Sequence, residues 1–308
     1  MKLSRLSVLR RLATPVLAVA AAVTAMAVAP GQAQAWPGSG AETHYIYSPS
    51  MGRAIQTEIW RNAGGGPIVY LLNGMQGGTD GLSWGRSTPA RQFFANKHVT
   101  VVNVIDGSGS FYANWRSDRS QQWETYFTKE LPPVLNKMVS SNGKYGIIGL
   151  SHSGLGAMNM LGKYGMFQAG ASLSGCPQTA DIGTTFMHAA EDMSVGRNIF
   201  NMYGGPGDPS WAYNDPTMHP ERFRGKTIFL TAASGVPGPP DDVVTPGMYG
   251  GPAAVEAITK QCTQNFSNAL NSAGVRHGVY YYANGAHTWG LFYNELVRAW
   301  SYISPRLS

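Results

Sequence analysis

Charge is scarce in this chain. Asp, Glu, Lys and Arg make up 13% of its 308 residues, and only two positions are cysteine. Two cysteines exclude a disulfide-dense small scaffold and a four-thiolate zinc ribbon. There is no internal repeat, no low-complexity linker and no long run of one charge sign. Solenoid, coiled-coil and wholly disordered chains are thereby set aside. Beyond about residue 30, no apolar stretch is long enough to cross a bilayer. What the chain does have is 43% hydrophobic residues and 38 glycines. That content suits a large core joined by many tight turns.

The formal net charge of +6 comes largely from one end. Lys2, Arg5, Arg10 and Arg11 precede an Ala- and Val-rich run from Leu12 to about Pro30, followed by Ala33-Gln34-Ala35. A basic start, an apolar middle and an A-x-A end describe a secretory leader, with cleavage expected after Ala35. A retained membrane anchor is the alternative, because Leu12 to Val28 borders on spanning length. The remaining chain, 36–308, carries 19 basic and 17 acidic side chains. That near balance gives no basic patch for nucleic acid. A secreted protein with a single large domain is expected.

The pattern after the leader alternates strands and helices. Two extended edge segments are expected at Thr43–Ser48 and Ala54–Arg61. Near-continuous apolar strands follow at Pro67–Leu72, Val99–Ile105, Tyr145–Leu150, Ala169–Ser174 and Thr227–Ala232, with a short last one at Val279–Tyr282. Such runs belong to a parallel sheet covered on both faces. Helical periodicity marks Trp123–Val139, with Pro132-Pro133 expected to disturb it. It also marks Ser153–Tyr164, Pro252–Ala273 and Leu291 to about Ile303. The class is α/β, mostly parallel. Cys176–Lys226 is about fifty residues rich in Gly, Pro, Met and Trp, an insertion of the kind that caps a site.

Gly149-Leu150-Ser151-His152-Ser153-Gly154 lies between a strand and a helix. A sharp turn there lifts a serine side chain out of the sheet, and needs small residues two before and two after it. Gly149 and Ser153 satisfy this for Ser151. Leu155 makes Ser153 the poorer nucleophile. A plain Ser/Gly-rich helix start is the alternative. In this fold the base follows the last strand, which selects His287 over His277. The acid stays open among Asp241 and Asp242, after the strand ending near Ala232, and Glu256 on the next helix. The stripe Val255, Ile258, Cys262, Phe266 and Ala269 is expected to face the core, with Glu256 to its side. Oxyanion donors are expected at the amides of His152 and Met75. The His152 ring is expected to matter less than its amide.

With these residues identified, the chain resembles the antigen-85-type mycolyltransferases, secreted acyltransferases of mycolic-acid-bearing actinobacteria. The likeness runs from about Ser48 to the C-terminus. It rests on Ser110-Phe111-Tyr112-Ala113-Asn114-Trp115, Trp123-Glu124-Thr125, Ile148-Gly149-Leu150-Ser151, Gly205 to Trp211, Asn214-Asp215-Pro216 and Gly285 to Trp289. The resemblance implies an α/β-hydrolase fold and a Ser151–Glu256–His287 triad, choosing Glu256 as the acid. It also implies ping-pong transfer of a mycolyl group from trehalose monomycolate, without cofactor or metal. The acceptor would be trehalose, arabinogalactan or a protein hydroxyl. A secreted carboxylesterase or lipase with the same triad is the alternative.

Two departures from the family stand out. Asn73 and Gln76 occupy places where the family carries Asp and Arg contacts to trehalose. This weakens the expected sugar contacts, which Trp84, Arg86 and Trp289 could restore, and suggests that free trehalose is not the sole acceptor. The family's short Cys-bounded loop before Trp123 is replaced by Ser117–Gln122. Finally, export favours oxidation, so Cys176 and Cys262 are expected to pair, with two buried thiols the alternative.

Overall fold

The computed structural model describes residues 41–308 apart from 62–63 and 242–249. The expected leader, its expected cleavage point and Asp242 lie outside the described residues. Eight strands form one sheet in the order β1-β2-β4-β3-β5-β6-β7-β8. They are β1 (Glu42–Ser48), β2 (Arg53–Trp60), β3 (Ile68–Leu72), β4 (Thr100–Val104), β5 (Tyr145–Leu150), β6 (Phe167–Leu173), β7 (Thr227–Ala233) and β8 (Gly278–Tyr282). β2 runs antiparallel to β1 and to β4, and every pairing from β4 to β8 is parallel.

The central strands read as unbroken apolar runs because both of their faces are covered. Ile68, Tyr70 and Leu72 of β3 join the core on one face with Ile147, Trp123, Phe127 and Leu131. Val69 and Leu71 join the other, with Ile148, Leu150 and the C-terminal helix residues Phe292, Leu296 and Ile303. That division follows from the two-residue period of a strand.

The helices are α1 (Trp84–Ser87), α2 (Ala90–Ala95), α3 (Trp123–Thr125), α4 (Leu131–Met138), α5 (His152–Lys163), α6 (Ile182–Ser194), α7 (Phe200–Tyr203), α8 (Pro209–Tyr213), α9 (Gly250–Ser272) and α10 (Trp289–Leu307). Sequence periodicity anticipates one disturbed helix over Trp123–Val139. The disturbance is a π-helical turn at Tyr126–Glu130 joining α3 to α4, in which the Leu131 amide donates to the Tyr126 carbonyl. Its longer hydrogen-bond span precedes Pro132, which has no amide hydrogen to give. The insertion at Cys176–Lys226 folds into α6, α7, α8 and short 3-10 turns rather than open loop.

Gly149 shows why the junction of β5 and α5 needs a residue with no side chain. A Cβ there would stand 2.3 Å from the Ser153 carbonyl oxygen. Strand and helix can meet this closely only at glycine.

Cys176, just after β6, is joined by a disulfide to Cys262 on α9 across 86 residues of chain. The pair packs with Met187 of α6 and Ile258 of α9. The bond therefore ties α9 to the edge of the insertion. Thiol titration of the unreduced, denatured protein is expected to find no free thiol. Reduction should lower unfolding stability by about 2–4 kcal/mol, measured by denaturant melts with and without reductant.

Candidate active site

Ser151 stands between β5 and α5 with φ +51° and ψ −124°. A non-glycine residue pays strain to hold positive φ, and such strain gathers where a side chain must be aimed. Here the turn holds the Ser151 hydroxyl within reach of the His287 imidazole. The Ser151 amide is held by the Leu173 carbonyl of β6 at 2.8 Å. Ser153, the other candidate, is fully buried. Its hydroxyl accepts from the Leu150 amide at 2.9 Å and lies 3.0 Å from the Leu150 carbonyl. It staples the turn and has no access to a substrate.

His287 also has positive φ, +56°, in the turn between β8 and α10. Its Nε2 lies 2.8 Å from Ser151 Oγ, and its Nδ1 lies 2.7 Å from Glu256 Oε2. The imidazole side chain is 8% exposed and Glu256 is fully buried. Glu256 Oε1 accepts from the Ala233 amide at 2.5 Å and from the Ser174 hydroxyl at 2.8 Å. With both oxygens committed to donors, the carboxyl group can fix the imidazole with the hydrogen on Nδ1 and the Nε2 lone pair toward Ser151. The ring also packs edge-on against Phe292, centroids 4.9 Å apart.

Glu256 is not at the side of its helix. The buried face of α9 includes Val255, Glu256, Thr259, Cys262, Thr263, Phe266, Ser267 and Leu270. That face is wider than the apolar stripe alone and carries polar residues that bond inward. Asp241 has a different task. Its Oδ1 accepts from the Ala286 amide and the Thr288 hydroxyl, both at 2.8 Å, and its Oδ2 accepts from the Gly238 amide at 2.8 Å. It therefore grips the His287 turn from both sides without touching the imidazole.

The loop after β3 brings Met75 and Gln76 to a partly exposed position. The Met75 carbonyl accepts from the Gly109 amide at 2.9 Å, which fixes the loop. Met75 Sδ lies 3.7 Å from the hydroxyl of Ser194 at the end of α6, so the insertion reaches this loop. No protein acceptor among the described residues takes the Met75 or His152 amide.

Two residues expected to contact sugar cannot do so here. Asn73 is fully buried; it donates to the Val104 carbonyl at 2.8 Å and accepts from the Trp84 amide at 3.1 Å. Trp84 is fully buried as well and donates from Nε1 to the Leu72 carbonyl at 2.8 Å. Both side chains are spent closing the loop onto the sheet. The Asn-for-Asp departure therefore bears on the loop rather than on an acceptor. Gln76 stays partly exposed, accepting from the Ser108 hydroxyl at 3.2 Å. Trp289 is partly exposed too, edge-on to Trp84 at 5.6 Å.

The His152 ring has more to do than expected. It is buried and stacks on Phe111 with centroids 3.5 Å apart, and its Nε2 accepts from the Phe111 amide at 3.0 Å. Burial lowers its pKa. Glu191 of α6 lies 3.7 Å from its Nδ1 and 3.1 Å from His188 Nδ1. Burial opposes the Glu191 charge, but contacts with His152 and His188 outweigh it and hold the carboxyl well below its usual range. The residue after Ser151 is thus tied to both the Ser110–Trp115 segment and the insertion. Nothing in a strand-turn-helix pattern signals this, because the partners lie some forty residues to either side. No group of three or more His, Cys, Asp or Glu among the described residues is arranged to hold a metal ion.

Known proteins share this fold and part of this sequence. The esterase family model matches residues 48–303. The diacylglycerol acyltransferase/mycolyltransferase Ag85C of Mycobacterium avium is 33% identical over 276 residues, covering 85% of this chain and 76% of that protein. Ag85B of the same organism is 30% identical over 273 residues, covering 83% and 81%. Among solved structures, Mycobacterium tuberculosis MPT51 (FbpC1) aligns with a TM-score of 0.76 at 26% identity, covering 88% of this chain and all of that one. A ferulic acid esterase aligns with a TM-score of 0.63 at 16% identity, a likeness of fold alone. With an α/β-hydrolase sheet, a serine at its elbow and relatives of this kind over most of its length, the chain belongs to the esterase family and, within it, to the antigen-85 mycolyltransferases.

Proposed function

We propose that this protein is a mycolyltransferase working through a serine acyl-enzyme, with Ser151 as nucleophile, His287 as base and acid, and Glu256 as the group that orients and supports His287. The observation that carries the chemistry is the bonded chain from Ser151 Oγ through the imidazole to Glu256. The transferred group is inferred from the activity for which the antigen-85 relatives are named.

In the first half-reaction, His287 Nε2 takes the Ser151 proton as Oγ attacks the ester carbonyl of trehalose monomycolate. The amides of His152 and Met75 receive the oxyanion. His287 then gives the proton to the departing trehalose oxygen. In the second, an acceptor hydroxyl loses its proton to the same nitrogen and attacks the acyl carbonyl; the ester bond to Ser151 Oγ then breaks and His287 returns the proton to Oγ. Trehalose, arabinogalactan and protein hydroxyls are the candidate acceptors. Gln76 and Trp289 remain the candidate contacts to the sugar. The protein would work outside the membrane after removal of residues 1–35 as a leader, leaving 36–308 as one domain. No helix among the described residues is long and apolar enough to cross a membrane.

Incubation with trehalose monomycolate should add one mycolyl group to Ser151, read by mass spectrometry of the protein. Trehalose or an arabinan fragment should then discharge it faster than water does. Discharge by water alone, at the same rate with or without sugar, would make the protein an esterase instead. Ser151→Ala is expected to lose turnover by about 10⁴-fold or more while melting as the wild type does. Adduct formation that survives in Ser151→Ala would refute the nucleophile.

Glu256→Gln is expected to lower kcat by about 10³- to 10⁴-fold, since a neutral amide cannot balance the imidazolium that forms. Asp241→Asn should lower it by only about tenfold, because one of several turn contacts weakens. Equal losses in the two variants would reject this division of labour.

A further inference from the structure

Behind Glu256 lies a second acid that the proposed mechanism does not use. Glu295, on α10, is fully buried. Its Oε1 lies 2.9 Å from the hydroxyl of Ser174, and that same hydroxyl lies 2.8 Å from Glu256 Oε1. A serine hydroxyl has one hydrogen to give and can accept in return. Two ionised carboxyl groups would compete for that hydrogen, and one would face Ser174 with no donor between them. A single added proton removes the conflict. Glu295 then donates to Ser174 Oγ, and Ser174 donates to Glu256.

The surroundings favour this arrangement. Thr231 of β7 sits against Glu295, though the Thr231 hydroxyl and Glu295 Oε2 do not meet hydrogen-bond geometry. Tyr282 of β8 lies close enough that a charge on Glu295 would hinder ionisation of its phenol, and Arg298, one turn along α10, turns to the Tyr282 hydroxyl at 3.3 Å. From α9 comes Glu256, with His287 beyond it. None of these supplies Glu295 with a cation. Burial pushes its carboxyl well above the usual range, and the nearby Glu256 adds to the effect. Ser174 itself holds φ +45° directly after β6, so the backbone is strained at the residue that joins the two acids.

We propose that Glu295 is a positioning residue that stays protonated and, through the Ser174 hydroxyl, holds Glu256 in place against His287. The inference rests on the Ser151–His287–Glu256 reading above. No proton leaves Glu295 during turnover; it contributes one directed hydrogen bond. Its carboxylic acid occupies a place that a carboxylate could not fill beside a second acid in a dry interior.

Two readouts on the full chain test this, one for the proton and one for the positioning. The folded state keeps a proton on Glu295 that the unfolded chain releases in the ordinary glutamate range. Raising the pH from that range toward the raised folded value therefore costs wild-type stability. Glu295→Gln removes this cost. Its urea midpoint should gain steadily on the wild type from about pH 5 to about pH 8. Midpoints that run parallel over that span overturn the proposal.

For positioning, kcat and KM are measured with a short-chain p-nitrophenyl ester. Glu295→Leu should lower kcat roughly ten- to a hundredfold with little change in KM, and Glu295→Gln, whose amide still donates, should recover most of that loss. Equal kcat in the Leu and Gln variants overturns the proposal, whether both are low or both normal. If Glu295→Leu fails to fold, Ser174→Ala takes its place: the same fall in kcat supports the relay and an unchanged kcat ends it. Mass spectrometry of the fluorophosphonate-labelled wild type keeps the two readings apart. A label away from Ser151 refutes the underlying triad, whereas a label on Ser151 with no effect of Glu295 refutes only the relay.

Discussion

Burial of one carboxyl group, Glu256, is the constraint around which this site is built. An acid taken out of water must be surrounded by donors, or the fold loses more than it gains. Three elements supply them: the Ala233 amide at the end of β7, the Ser174 hydroxyl after β6, and the His287 imidazole before α10. These groups come from neighbouring strand ends, so the sheet register itself sets the position of the acid. The disulfide to Cys262 lies on the same helix as Glu256 and fixes that helix to the chain after β6. The histidine can be aimed at Ser151 only because its other side is already anchored.

The opposite wall is organised by packing rather than by charge. Asn73 and Trp84 draw the loop after β3 onto the sheet, and that loop then presents Met75 and Gln76. The Phe111–His152 stack locks the Ser110–Trp115 segment against the elbow. Glu191 and His188 extend this contact into the insertion. The family-like segment Ser110–Trp115 and the elbow Gly149–Gly154, distant in sequence, are thus two halves of one contact. A residue such as Asn73 serves this site through the backbone it holds rather than through a ligand it touches.

Much of the architecture was legible in residue order. Tyr145–Leu150 is found where its apolar run predicts, because a central strand covered on both faces must be hydrophobic throughout. Ser151 was marked by small neighbours at fixed offsets, and His287 by its place after the last strand. Short helices such as α1 and α2 were not expected, being only 4 and 6 residues long and too short for periodicity to show. The insertion could be bounded in the sequence as a capping segment but not divided into elements, because α7 and α8 are brief and Gly and Pro interrupt the segment.

Local pattern, then, determined the strands, the elbow and the candidate for the base, since each depends on residues within a few positions of one another. The acid was different. Periodicity could only separate an apolar stripe from the rest of α9, and Glu256 stood beside that stripe; resemblance to a family was needed to select it. Its donors, like the Ser174 hydroxyl between two buried acids and the Val104 carbonyl that turns Asn73 inward, come from strands far along the chain. Hydrogen bonds that satisfy buried polar groups are made between elements, so only the assembled sheet decides which of them exist.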